Sequence, residues 1–523
     1  MMKQTGVKGR FNTGVFFSCL SGVLLFLSFP KFGSGIVAWV ALTPLIYALK
    51  DVHRRRTGFL LGFIAGMICH VGMLYWITYV VVHYGNLPYY VGIPAMLLLA
   101  AYLSLYTAIF AFGVVYFETK KFPLVFIAPL LWTGLEYAKS HVLTGFPWEN
   151  LAYSQYLYHP VVQIADITGI YGITFIIVMV NVIIYDVLTT KPKGKRLVRE
   201  VMAGCIILLV IGIYGVMKIR SLERSLLSAD SMNVSVIQGN IDQNIKWNPQ
   251  FQEKTINTYR NLSLTNAPSG SRLIVWPETA TPFFFQEKND RHREVVRVAR
   301  DAGSWLLFGS PSYLKDEDSL SFMNSAFLLN SEGDVRGRYD KVHLVPYGEY
   351  VPLRQWFPFI SKLVVGVGDF ASGPGFHPLS MNHHRLGVLI CYEGIFPEAG
   401  RSYKKAGADL LVNITNDAWF GRTSAPYQHL SMTSLRAVEN RLYIVRAANT
   451  GISAVIDPTG RIINQTELFE EASLQGTVKF THDNTFYMLY GDVFVYSCLL
   501  SIGICILISI RRRRYAGRNT RND

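Results

Sequence analysis

An α-helical membrane domain of about eight spans plus an exported α/β domain is the fold class predicted by three features of this 523-residue chain. Half of the residues are hydrophobic and the mean hydropathy is +0.24, too apolar for an ordinary soluble protein of several domains. Long apolar runs crowd into residues 1–217 and recur once near the C-terminus. Between them, short β-rich runs alternate with helical patterns.

Runs of roughly 17–25 mainly apolar residues can cross a bilayer. They fall at residues 14–30, 35–49, 58–82, 87–117, 122–138, 164–188, 201–216 and 486–510, the second short and the fourth long. The first follows Lys3, Lys8 and Arg10, as a signal peptide would. Only Ser28-Phe29-Pro30-Lys31 follows it, not a small-x-small cleavage site, so it is read as a retained anchor.

With the N-terminus inside, the cytoplasmic segments hold Lys3, Lys8 and Arg10, then Lys50 and Arg54 to Arg56, then Lys120 and Lys121. They continue with Lys191, Lys193, Lys195, Arg196 and Arg199, then Arg511 to Arg514, Arg518 and Arg521. The short outward loops offer only Lys31 and Lys139. This bias places both termini in the cytoplasm and the large segment outside. It also accounts for the net charge of +14, which then implies contact with anionic membrane lipid and no nucleic-acid partner.

The chain therefore divides into a membrane part of about seven helices (1–217), an exported domain (218–485), an anchor helix (486–510) and a basic tail (511–523). Cys19, Cys69, Cys205, Cys498 and Cys505 lie in predicted spans, where a small apolar residue is ordinary. Cys391 is the only cysteine of the exported segment, so it forms no disulfide within it.

Within that segment, strands are predicted at 233–238, 272–276, 305–309, 325–330, 386–391, 410–415, 443–448, 453–457 and 461–464. Helices are predicted at 250–264, 290–302, 396–406 and 428–440. The alternation suits one large α/β domain with its active groups on loops that leave strand ends.

Three polar residues sit at such ends: Glu278 in RLIVWPETATP, Lys341 in GRYDKVHLVPYGEYVP and Cys391 in RLGVLICYEG. A thiol attacks a carbonyl only as the thiolate, so it needs a base or a cation beside it. A carboxylate can take the proton, and an ammonium can hold the oxyanion that follows. Taken singly, each has a structural explanation: Glu278 as a cap after Pro277, Lys341 as a solvated surface lysine, Cys391 as a core thiol behind Leu389 and Ile390.

The ordered set WPE, DKVHLVPYGE and CYE resembles the nitrilase superfamily of carbon-nitrogen hydrolases. That resemblance implies an α-β-β-α sandwich, with Glu278 as general base, Lys341 as the oxyanion-holding cation and Cys391 as nucleophile. It implies supporting roles for Glu349, Glu393 and Tyr392. Further likeness lies in QGNIDQNIKW, NDAWFG and RAVENRLYIVRAANTGISAVIDPTG, and Thr281 and Asp242 depart from the family pattern.

Coupled to the spans, nearly the whole chain resembles a membrane-bound acyltransferase branch of that superfamily. The resemblance implies transfer of an acyl chain from a phospholipid, through a Cys391 thioester, to the α-amino group of the diacylglyceryl-cysteine that begins a lipoprotein. Trp247, Trp356 and Phe359 are the candidate substrate contacts. No cofactor or metal is implied, and a single chain is expected to suffice. The apolar stretches 282–285 and 353–367 are read either as core or as a mobile lid at the bilayer surface. The rivals are a tethered amidase acting on small amides, a Cys-His site using His343, His383, His384 or His429, and a transporter or sensor built on the intramembrane charges Glu136 and His70.

Overall fold

Contacts divide the chain into two compact units, one of Met1–Tyr75, Pro94–Met217 and Tyr490–Asp523, the other of Trp76–Ile93 and Lys218–Leu489. The computed structural model describes residues 2–189, 195–265, 272–315, 319–351, 369–481 and 483–519.

The first unit is helical. Among the described residues, five helices are long and apolar enough to cross a membrane: Arg55–Leu74, Tyr89–Glu118, Ile170–Thr189, Lys195–Ser225 and Val493–Arg512. The spans expected at 14–30 and 122–138 fall on the helices Met2–Phe26 and Leu124–His141. The stretch expected at 35–49 is broken into Gly35–Val37, Ala38–Ala41 and Thr43–Ala48. Such a break needs partners for its freed backbone groups in a membrane. Asn181 supplies them: its Oδ1 accepts from Leu42 N at 2.8 Å and Thr43 N at 3.0 Å, and its Nδ2 donates to Ala38 O at 2.9 Å. Glu136 is likewise spent on structure, accepting from Trp132 Nε1 at 3.0 Å, Leu151 N at 2.7 Å and Thr174 Oγ1 at 2.8 Å.

The second unit is built on two six-stranded sheets. The first runs β12-β1-β2-β3-β4-β5, with β1 Ser231–Gln238, β2 Leu273–Val275, β3 Trp305–Lys315, β4 Leu320–Leu329, β5 Val335–Asp340 and β12 Ala472–Lys479. The second runs β11-β10-β9-β8-β7-β6, with β6 Leu379–Met381, β7 His384–Ile390, β8 Leu410–Thr415, β9 Tyr443–Ala448, β10 Ala454–Ile456 and β11 Ile462–Gln465. At the centre of each sheet three strands run parallel, β1-β2-β3 and β7-β8-β9.

Helices Pro249–Thr265 and Asp290–Ala302 bury Ile256, Tyr259, Val295 and Val298 against Ile237, Trp276 and Phe308 of the first sheet. Helices Pro397–Lys405 and Ala425–Asn440 pack on β7 and β9 of the second. The result is the expected α-β-β-α layering. Every expected strand is present, and β5, β6 and β12 are additional. Phe283 and Phe285 belong to the core cluster and Phe284 stacks on Phe322, so 282–285 is core and not a lid.

Candidate active site

Parallel strands release their C-terminal ends on one side of a sheet, where loops can carry reactive groups. Glu278 lies three residues beyond β2, Cys391 directly follows β7, and Lys341 directly follows β5. The turn carrying Glu278 rests on β3: Gly309 N donates to Pro277 O at 3.1 Å, and Thr281 N donates to Gly309 O at 3.2 Å. Thr281, a departure from the family pattern, is buried there with its hydroxyl on the same carbonyl at 3.3 Å. Asp242, the other departure, is an N-cap accepting from Asn244 N at 2.9 Å.

The three candidate catalytic side chains come together, all buried. Lys341 Nζ is 3.9 Å from Glu278 Oε1 and 2.9 Å from Glu349. Asn324 Nδ2 donates to Glu278 Oε1 and to Glu349 Oε1, both at 2.8 Å, and Asn416 N donates to Glu278 Oε2 at 2.8 Å. Glu278 is thus aimed by three elements.

Burial works to lower the Lys341 ammonium, but the carboxylates of Glu349 and Glu278 outweigh it and hold the group above its ordinary value. Lys341 is a permanent cation. Burial, reinforced by the Glu278 charge, pushes the Cys391 thiol well above its ordinary value, and Lys341 opposes this. The resting group is therefore the thiol, and its proton needs an acceptor. Cys391 also adopts φ 54°, a left-handed conformation that costs a non-glycine residue energy.

Of the supporting residues, Glu349 orients the Lys341 ammonium directly. Glu393 acts on backbone instead: Oε1 accepts from Val342 N at 2.7 Å, His343 N at 3.1 Å and Tyr339 OH at 2.8 Å, and Oε2 accepts from Ile390 N at 2.7 Å. It ties the chain after Lys341 to the chain before Cys391. Burial raises its carboxyl to about 7 against these donors. Tyr392 is buried with its ring edge-on to Phe396 at 4.9 Å. Trp247 caps the short helix Gln243–Lys246 and is partly buried. Trp356 and Phe359, with the lid expected at 353–367, lie outside the described residues.

Further residues belong to this centre. Besides Asn324, the buried Lys246 donates to Glu278 O at 3.3 Å and Thr279 Oγ1 at 2.8 Å. His429 Nε2 lies 3.1 Å from the carbonyl oxygen of Cys391, and its Nδ1 is 3.0 Å from Asp417 Oδ1 and 3.2 Å from Arg446 Nη2. Burial and Arg446 hold this imidazole below its ordinary pKa. Both ring nitrogens are held, Nε2 at the Cys391 carbonyl and Nδ1 between Asp417 and Arg446. His429 thus serves the Cys391 backbone. Of the other histidines, His384 stacks on Phe480 and His343 on Phe396, so no Cys-His pair is built from them.

The family model for the apolipoprotein N-acyltransferase N-terminal domain matches residues 21–183, and the carbon-nitrogen hydrolase model matches residues 233–481. An apolipoprotein N-acyltransferase of Geobacter metallireducens is 46% identical over 94% of this chain and 95% of that one. Those of Haemophilus ducreyi and Pasteurella multocida are 31% and 30% identical, over 95% and 96% of this chain and 96% and 97% of theirs. Both halves of the chain are matched together and nearly end to end. The chain belongs to the apolipoprotein N-acyltransferase family, acyltransferases that join a helical, membrane-type N-terminal domain to a carbon-nitrogen hydrolase fold.

Proposed function

We propose that this enzyme moves an acyl chain from a membrane phospholipid to the α-amino group of a diacylglyceryl-cysteine at a lipoprotein N-terminus, through a thioester on Cys391. The supporting observation is the buried thiol set beside a carboxylate and a permanent ammonium, Glu278 and Lys341. Glu278 takes the Sγ proton as the sulfur attacks the ester carbonyl, and Lys341 holds the resulting oxyanion. Collapse breaks the ester C–O bond. The departing lysophospholipid oxygen takes the proton from Glu278, and the thioester remains.

In the second half, the lipoprotein amine attacks the thioester carbonyl and Glu278 takes a proton from the nitrogen. Collapse forms the amide and expels the Cys391 sulfur, which recovers that proton. Aminolysis of a thioester needs no ATP, and two substrates confined to one membrane meet at raised effective concentration. Glu349 and Glu393 position Lys341 and Cys391. Trp247, next to Lys246, is assigned to the substrate wall. The basic inner segments support a catalytic domain on the outer face of the inner membrane with both termini cytoplasmic, and one chain holds all the groups the reaction uses.

The test is to incubate detergent-purified protein with phospholipid and weigh the peptide containing Cys391. An acyl-sized, hydroxylamine-labile adduct is expected, with release of lysophospholipid. It should be absent in Cys391→Ala and Glu278→Gln. An adduct that persists in Cys391→Ala, or neither adduct nor lysophospholipid in the unaltered protein, would overturn the assignment.

A further inference from the structure

Residues Trp76–Ile93 group with the catalytic unit, although the chain places them between apolar helices. Three of their aromatic residues close on one turn, residues 417–421. The Tyr84 hydroxyl donates to Ala418 O at 2.9 Å, and its ring meets Trp419 edge-on at 4.8 Å. Trp76 meets Phe420 edge-on at 4.9 Å. Tyr79 lies against Gly421, where a Cβ would stand 2.6 Å from its ring. At φ +58° that position also disfavours a side chain, so the turn admits Tyr79 only as glycine.

The same turn governs both ends of the reaction. Just before it, Asn416 N donates to Glu278 Oε2 at 2.8 Å. Its first residue, Asp417, contacts His429 at 3.0 Å and Arg446 at 2.7 Å, and His429 reaches the Cys391 carbonyl at 3.1 Å. A shift of this turn moves the N–H that stabilises Glu278 and the imidazole that holds Cys391.

We infer that Tyr84 is a positioning residue for acyl transfer: through the Ala418 carbonyl it sets the turn that aims Asn416 N–H at Glu278 and Asp417 at His429. The inference rests on Glu278 being the base. The charged and titratable groups facing Glu278 are Lys341 at 3.9 Å, Lys246 on its own carbonyl, the Cys391 thiol, and Glu349 through the shared Asn324 amide. None of these is altered by removing one hydroxyl from Tyr84. A carboxylate that loses an N–H donor protonates at higher pH, so the acid limb of the reaction moves up.

The experiment follows first-turnover acylation of Cys391 against pH, using full-length protein in mixed detergent-phospholipid micelles. Tyr84→Phe keeps the ring on Trp419 and removes only the hydroxyl. Its rate at neutral pH is expected to fall by about fivefold or more, with the acid limb displaced upward and an unchanged melting temperature. Tyr90→Phe, at a residue 79% exposed, should match the unaltered protein. A Tyr84→Phe profile that superimposes on the unaltered one, or falls uniformly without moving its limb, overturns the inference while Glu278→Gln still abolishes loading. If Glu278→Gln loads normally, the base assignment itself fails and takes the inference with it.

Discussion

Two buried lysines flank Glu278, and their surroundings give them opposite characters. Lys341 lies between the carboxylates of Glu349 and Glu278 and stays charged. Lys246 touches a backbone carbonyl and a hydroxyl, Glu278 O and Thr279 Oγ1, so burial wins and brings it down to about 7. Its ordinary value is 10.5, so between about 7 and 10.5 the unfolded chain holds a proton that the folded chain has released. Stability from this group is thus fully present above 10.5 and is lost as pH falls through about 7. Lys246→Met removes the dependence: the melting temperature of the unaltered protein, measured relative to the variant, should climb by roughly a few degrees between pH 7 and 9. Parallel melting curves across that range would contradict it. Lys246 stands beside Trp247 in QGNIDQNIKW. Nothing local in a sequence distinguishes a buried lysine from a solvated one.

Strand β3 shows how one element supports a catalytic group it does not carry. A Cβ at Gly309 would stand 2.4 Å from Thr279 N and 2.6 Å from Glu278 Cα, so only glycine lets the WPET turn lie on the strand. Gly309→Ala must push Glu278 outward, away from Asn324, Asn416 and Lys341. Displacements of about 1 Å cost roughly a hundredfold in rate, so Cys391 acylation should fall by about that factor, with a stability loss of about 1–3 kcal/mol. Acyl loading within a factor of two of the unaltered protein would show that the turn tolerates the contact. The strands that escaped the sequence reading share a cause. β5, β6 and β12 lie at sheet edges, where polar and short strands are favoured: VRGRYD is largely charged, LSM has three residues, and ASLQGTVK alternates weakly. Central strands such as β8, LLVNIT, are buried throughout and announce themselves as apolar runs.

At the scale of the whole molecule, charge asymmetry is the argument for orientation. The basic residues cluster at Lys3 to Arg10, Lys50 to Arg56, Lys120 to Lys121, Lys191 to Arg199 and Arg511 to Arg521, while the catalytic segment 218–485 is close to neutral. An alkaline phosphatase fused after residue 485 should be active, because it is carried outside, and one fused after residue 523 should be inactive. The reverse pattern would place the catalytic centre inside and remove its lipoprotein substrate. Of the five helices long enough to span, Lys195–Ser225 and Val493–Arg512 are each buried over only 17% of their most apolar window, and lipid is the solvent such surfaces require. The apolar stretches expected at 35–49 and 122–138 are shorter or carry Glu136, and internal partners such as Asn181 let them remain in the helical unit.

The sequence by itself determined the class of fold, the central strands and the candidate set Glu278, Lys341 and Cys391. Apolar periodicity is local, and a thiol, a carboxylate and an ammonium at strand ends keep their chemistry whatever surrounds them. Only the tertiary structure decided which oxygen meets which N–H: Asn324 bridging Glu278 and Glu349, Glu393 stitching Val342 to Ile390, His429 spent on the Cys391 carbonyl, and Tyr84 bearing on the turn beside Glu278. Each joins residues from separate elements, Tyr84 and Ala418 standing 334 positions apart. Burial and direction are properties of the packed chain, so no local pattern carries them.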